Sequence, residues 1–300
     1  MTEVLEPVRP IEADGAVAPN VEQARQELAY AVEHHEEYFV SVDGPCPLTD
    51  NPKATLAEAD RKAAAASGLD GYIALDRECF FKPRTNPADW HGLHSSDPEA
   101  AGQMLGQLAD RHANVIAEVG SIEQFERYGA SLTALWIGGR AVGNTDLIEE
   151  LAVADPTIVI GVKNGLDGEI DLALEQVARI ERLRGDEGAP AVLIYRGGTN
   201  AQTPQASQDM YKRAHEATGG RLFYDAAHGV EMAYHPAGEF KKSVAGQVLA
   251  SEALIQLTEH GYPPLGKFAE ASDIDAIMDP HMPLDQALEH SRRVHELKLT

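Results

Sequence analysis

The sequence predicts a (β/α)8 TIM barrel preceded by a short N-terminal arm and helix. Three observations predict it. From residue 38 onward there are eight short apolar runs, each followed by a helix-like segment, and strict alternation of this kind points to βαβ units. The runs are apolar throughout, as suits a parallel sheet covered on both faces. Finally, the reactive side chains cluster at or just beyond the C-terminal ends of these runs, the face on which a barrel builds its active site. A doubly wound open sheet is the alternative architecture, but no Gly-x-Gly-x-x-Gly fingerprint follows the first run, which counts against it. The expected organisation is an arm and helix over residues 1–37 and a barrel over residues 38–300.

Residues 1–20 carry prolines and acids without periodicity and read as an arm. Val21, Ala24, Leu28, Ala31 and Val32 recur at helical spacing over 21–37, with Asn20 as N-cap. Tyr38–Val42 is the first apolar run and leads into Asp43-Gly44-Pro45-Cys46; an Ala-rich helix over 53–66 follows. Gly71–Leu75 is the second run. It opens into Arg77-Glu-Cys-Phe-Phe-Lys82-Pro83-Arg84-Thr85, where Pro83 pushes Lys82 towards an extended conformation. A loop presenting its cations is therefore expected, after which Asp97 caps a helix over 98–112. The later runs are 115–117 ending at Glu118, 132–137 ending in Gly138-Gly139-Arg140, and 157–162 ending in Lys163-Asn164-Gly165. They continue with 191–195 ending in Arg196-Gly197-Gly198, 222–224 ending in Asp225-Ala226-Ala227-His228, and 265–269 ending at Glu270. Helices are expected from about residues 122, 144, 169, 204 and 238, and over 283–297.

Bulk properties narrow the partners. A net charge of −23 opposes nucleic acid and anionic membranes. No segment reaches the ~18 consecutive apolar residues of a membrane helix. Two cysteines, Cys46 and Cys79, form no disulfide framework and suit a reducing, cytoplasmic setting.

The strand-end side chains fall into two groups. Arg77, Lys82, Arg84, Arg140, Lys163 and Arg196 are cationic, and six converging cations require a multiply anionic substrate such as a phosphorylated carboxylate. Gly138-Gly139 and Gly197-Gly198 let backbone N–H groups approach an oxyanion. For a single arginine in so acidic a chain, a surface ion pair is the competing explanation. The second group could hold a metal: Cys46, His228, Glu270 and an acid beyond, among Asp273, Asp275, Asp279 and Asp285. Thiolate, imidazole and carboxylate together suit Mn, Fe, Co or Zn better than Mg or Ca. Taken singly, a buried apolar role for Cys46 and a hydrogen-bonded barrel-mouth role for His228 compete with ligation. Lys163 also permits a Schiff-base aldolase. A non-catalytic barrel is a further alternative, for which six clustered cations have no use.

In their order, Gly44-Pro45-Cys46, Lys82-Pro83-Arg84-Thr85 with Trp90-His-Gly-Leu93, Ile137-Gly-Gly-Arg140, Lys163-Asn-Gly165-Leu-Asp-Gly168, Arg196-Gly-Gly198, Asp225-Ala-Ala-His228 and Glu270 resemble the type I 3-deoxy-D-arabino-heptulosonate 7-phosphate (DAHP) synthase family. The resemblance runs from about residue 38 to 290. It implies the first step of the shikimate pathway, a condensation of phosphoenolpyruvate with erythrose 4-phosphate. It implies a divalent metal, manganese first and Fe, Co or Zn as alternatives, on Cys46, His228, Glu270 and Asp285. Phosphoenolpyruvate is then held by Arg77 and Lys82 at its carboxylate, and by Gly139, Arg140, Lys163 and Arg196 at its phosphate. Arg84 and Thr85 take the aldose phosphate. Lys82, Glu118, Lys163 and His228 carry the catalytic roles, and a homo-oligomer, dimer or tetramer, is implied. The chain departs from the family where Pro47-Leu48-Thr49-Asp50 replaces Ser-Ile-His-Asp and where Ala141 replaces Thr. A relative using another aldose phosphate is the alternative these departures leave open.

Overall fold

The structure, a computed structural model, describes residues 19–44, 51–78, 93–112, 114–165, 168–197, 203–233, 243–274 and 281–300. Eight parallel strands close into a barrel in the order of the chain, as the alternating pattern predicts. They are β1 (Phe39–Gly44), β2 (Tyr72–Glu78), β3 (Val115–Glu118), β4 (Ala134–Ile137), β5 (Val159–Lys163), β6 (Ala191–Tyr195), β7 (Leu222–Asp225) and β8 (Gly266–Glu270). Around them run α1 (Pro19–Glu33), α2 (Pro52–Ala66), α3 (Leu93–Ser96), α4 (Pro98–His112), α5 (Ile122–Tyr128), α6 (Thr145–Ala154), α7 (Asp171–Arg184), α8 (Pro204–Thr218), α9 (Val244–Glu259) and α10 (Leu284–Lys298). Closure is made by β1 beside β8, with Val42 paired to Phe268 and Gly44 to Glu270. Closing the sheet on itself leaves no strand edge to protect.

Helix starts follow local chemistry. Asn51, Ser121, Asn144, Thr203 and Ser243 each accept a backbone N–H from the first turn of the helix behind them, satisfying donors that have no intrahelical partner. Asp97 does the same for Ala100 at the start of α4. Three expected boundaries differ. α1 covers Pro19–Glu33 where 21–37 is expected, and Asn20, expected as its N-cap, lies within it and donates to the Ala109 carbonyl at 2.8 Å. β2 runs on to Glu78, so Arg77 belongs to the strand and not to a loop beyond it. Its polar end is sheltered from outside by α2, whose Lys62 donates to Asp76 Oδ1 at 2.6 Å and to the Asp43 carbonyl at 3.0 Å. The helix expected from about 238 is α9, beginning at Val244; residues 234–242 lie outside the described residues. So do Cys46 and the Lys82, Arg84 and Thr85 loop.

Alternation along each strand sorts side chains inward and outward. The inward set packs as one cluster that includes Val40, Val42, Leu75, Ile116, Trp136, Val192, Ile194, Phe223 and Phe268. The outward set packs under the helices in a second, larger cluster. Each fully buried Leu, Val, Ile or Phe contributes about 1.5–3 kcal/mol. Gly161 makes room inside the barrel, because a Cβ there would meet Ile194 Cδ1 at 2.5 Å and Trp136 Cβ at 3.5 Å. Helix α1 adds Leu28 and Val32 to the inner cluster. It is fixed by Arg25, which donates to the carbonyls of Leu132 and Gly129 at 2.8 and 2.7 Å and pairs with Asp155 at 2.7 Å.

Candidate active site

At the C-terminal end of the barrel the inward positions become charged. β2 brings Arg77, β3 Glu118, β5 Lys163, β7 Asp225 and β8 Glu270; Arg196 and His228 follow immediately after β6 and β7. All but Glu118 and Arg196 are buried, Arg77 at 3 %, Lys163 at 4 % and Glu270 at 0 % exposed. Charged groups this deep are stable only when paired. Arg77 Nη2 donates to Glu270 Oε1 at 3.3 Å, and Lys163 Nζ donates to Asp225 Oδ2 at 3.0 Å. Glu270 is positioned from outside the barrel by α9, where Gln247 Oε1 accepts its backbone N–H at 3.1 Å.

Asp225 organises the β7 end. Oδ2 also accepts from His228 Nδ1 at 3.0 Å, and Oδ1 accepts the Ala227 N–H at 3.1 Å. Burial opposes its charge, but His228 and Lys163 outweigh burial and hold the carboxyl well below the usual carboxylate range. Ionised, it can only accept hydrogen bonds, so His228 Nδ1 carries the proton. Burial pulls His228 down to about 4, against the opposing pull of Asp225 and aided by Arg196. The imidazole is therefore neutral at pH 7, with its lone pair on Nε2. A histidine oriented by a carboxylate in this way is a ready metal ligand.

The β4, β5 and β6 ends meet closely. Asn164, fully buried, accepts the Arg196 N–H on Oδ1 at 2.8 Å and donates from Nδ2 to the Gly197 carbonyl at 3.0 Å. A Cβ on Gly139 would lie 2.7 Å from the Asn164 carbonyl and 2.9 Å from Arg196 Nη1, so only glycine fits where Arg196 leans across. A Cβ on Gly138 would strike the Glu118 carboxylate. That carboxylate accepts the Trp136 indole N–H at 3.2 Å.

The structure thus gathers Arg77, Glu118, Gly139, Lys163, Arg196, His228 and Glu270 at one end of the barrel. Arg140 is exposed. Asp285 stands apart on the first turn of α10. Its side chain is 85 % exposed, and it accepts from Arg61 Nη2 at 2.6 Å, the same arginine that pairs with Asp273. Among the described residues no three His, Cys, Asp or Glu side chains come together as a metal cage. Cys46, Lys82, Arg84 and Thr85 lie outside those residues. Sequence reasoning gave no role to Asp225, Asn164, Trp136 or Gln247. For the first two, the signal was their place beside a strand-end cation or histidine.

Comparisons with known proteins bear on the family and the fold. The family model described as the DAHP synthetase I family matches residues 28–254. A phospho-2-dehydro-3-deoxyheptonate aldolase of Corynebacterium glutamicum is 28 % identical over 238 residues, which are 70 % of this chain and 64 % of that protein. The Trp-sensitive phospho-2-dehydro-3-deoxyheptonate aldolase of Enterobacter agglomerans is 28 % identical over 174 residues, 54 % of this chain and 49 % of that protein. The chain therefore spans between about half and just under two thirds of the length of these curated relatives. The structure of phospho-2-dehydro-3-deoxyheptonate aldolase from Francisella tularensis SCHU S4 superposes with a TM-score of 0.74 at 18 % identity, over 93 % of this chain and 91 % of that one, a likeness of fold. With the matching family model covering most of the chain and the barrel closed as above, the chain belongs to the DAHP synthetase I family.

Proposed function

We propose that this protein condenses phosphoenolpyruvate with erythrose 4-phosphate to give 3-deoxy-D-arabino-heptulosonate 7-phosphate and phosphate. The observation that carries the reading is the set of buried cations at the barrel mouth, Arg77 on Glu270 and Lys163 on Asp225, with Arg196 beside Gly139. Such cations exchange an internal carboxylate for a substrate anion without being dehydrated anew. Arg77 and Lys82 take the carboxylate of phosphoenolpyruvate. Gly139, Arg140, Lys163 and Arg196 take its phosphate. Arg84 and Thr85 hold the aldose phosphate. Preorganised cations offset the repulsion of two anionic substrates brought face to face.

The residues fit a divalent metal. His228 presents a neutral Nε2, and Glu270 supplies a carboxylate fully removed from solvent. Cys46, two residues beyond β1 in the sequence, would complete a mixed donor set suited to Mn, Fe, Co or Zn. Asp285 joins only by leaving Arg61. When bound, such an ion polarises the aldehyde oxygen. C3 of phosphoenolpyruvate then attacks the aldehyde carbon, water adds at C2, and phosphate leaves by C–O cleavage. Glu118, held by Trp136, stands at the mouth to take the proton of that water, and the cations stay on the departing phosphate. The engagement of Lys163 with Asp225 supports a clamp rather than a Schiff-base nucleophile. No helix among the described residues is long and apolar enough to cross a membrane, and the reading extends to a cytoplasmic homo-oligomer.

Phosphate release from the two substrates, measured with manganese and with a chelator in parallel, tests this. Release that needs both substrates and stops with chelator is expected. Release indifferent to chelator would overturn the metal assignment. Silence with erythrose 4-phosphate but turnover with another aldose phosphate would replace the acceptor.

A further inference from the structure

We propose that Trp136 is a positioning residue for the substrate-binding cations and for Glu118, an inference that rests on the functional reading above. Trp136 lies on β4, inside the barrel, and is fully buried. Arg77 Cζ lies 5.7 Å and Lys163 Nζ 5.3 Å from its ring centroid. Its Nε1–H donates to Glu118 Oε2 at 3.2 Å. Phe268 meets it edge to face at 5.7 Å between centroids, and Lys163 Nζ stands 5.5 Å from the Phe268 ring as well. One indole therefore faces charged groups from β2, β3 and β5, which are far apart in sequence.

A packing residue has no need of this set. A leucine or phenylalanine would leave part of the indole's volume empty, a packing loss that the melting temperature reads. What the indole adds is electrostatic. Its π face attracts a cation without offering a carboxylate that a substrate must displace. Its N–H end fixes one oxygen of Glu118. The cations are thereby set over the ring face and Glu118 at its N–H edge, the preorganisation that holding reacting groups in place requires.

Two substitutions separate the two ends of the ring. Trp136→Phe keeps a π face and deletes the N–H, so kcat should fall about ten-fold while KM for phosphoenolpyruvate changes less than three-fold. Trp136→Leu deletes the face, and KM for phosphoenolpyruvate should rise about ten-fold. A purely structural role would lower the melting temperature and leave both constants within two-fold of wild type, and that result overturns the proposal. A readout that keeps Trp136 in place uses Trp90→Phe, which makes Trp136 the only tryptophan of the chain. Its emission should change on titration with phosphoenolpyruvate, half-saturating near KM, as Arg77 and Lys163 shift over the ring; flat emission at saturation overturns the proposal. Absence of turnover in the wild-type chain would fail the functional reading by itself. Titration of the Trp90→Phe emission with inorganic phosphate then decides the indole's role, a change supporting it and no change overturning it.

Discussion

Glu78 closes β2, is fully buried, and has no hydrogen-bond partner among the described residues for either carboxylate oxygen. Burial pushes it up to about 8, against the pull of Lys62 and with the help of Asp76 and Glu58. The folded protein therefore holds a proton on Glu78 that the unfolded chain, titrating near 4.5, gives up. The stabilisation is complete below about pH 4.5 and is lost as pH rises towards and through 8. With about 1.4 kcal/mol per pH unit as the limiting slope, the loss between pH 5 and pH 8 is about 3 kcal/mol. Glu78→Gln keeps the shape and cannot lose the proton. An unsatisfied amide there shifts the absolute stability but adds no slope. Urea unfolding followed by circular dichroism at pH 5, 6, 7 and 8 gives the comparison, because every other titrating group is common to both proteins. The difference in stability between variant and wild type should move in favour of the variant by about 3 kcal/mol across that range. Parallel curves, within about 0.5 kcal/mol, would refute the reasoning by showing that Glu78 is ionised and solvated throughout.

Three further outcomes are expected. Lys62→Met removes the only cation bonded to Asp76 among the described residues and should cost about 3–5 kcal/mol in urea unfolding, with the double variant carrying Asp76→Leu recovering most of it; a single-variant cost below about 1 kcal/mol would contradict this. Asp225→Asn unseats the His228 tautomer and leaves Lys163 without its carboxylate, so manganese affinity measured by calorimetry should drop about 10–100-fold; an unchanged affinity would remove Asp225 from the orientation of His228. Gly161→Ala drives a methyl into Ile194 and towards Trp136 and should cost about 1–3 kcal/mol in thermal unfolding; a neutral result would mean that the barrel interior yields more easily than its packing suggests.

The barrel was legible because its signals are local. Apolar runs mark strands, and Asp97 marks a helix start, whatever lies across the fold. The strand-end positions of Glu118, Lys163 and Glu270 were equally readable once the alternation was recognised. Arg77 was placed too late because Asp76 and Glu78 look like a loop. Only Lys62, on the helix packed outside them, makes an acidic strand end tolerable, and no local pattern announces that pairing. Trp136 was hidden for a related reason. Its neighbours come from β2, β3, β5 and β8, so the sequence around it describes only a buried aromatic residue. Asp285 illustrates the converse. A position in a motif does not say which arginine the side chain meets, and Arg61 comes from another helix altogether.

The attachment of α1 has a consequence for the order of events during synthesis. Arg25 finds its partners 104 to 132 residues downstream, at Gly129, Leu132, Asp155 and Thr157. A ribosome adding roughly 10 residues per second needs about ten seconds to produce them. Throughout that interval Leu28 and Val32 have nothing to cover them, and a buried guanidinium has no carbonyls to receive it. Helix α1 thus has no complete docking site until about half of the barrel has been made.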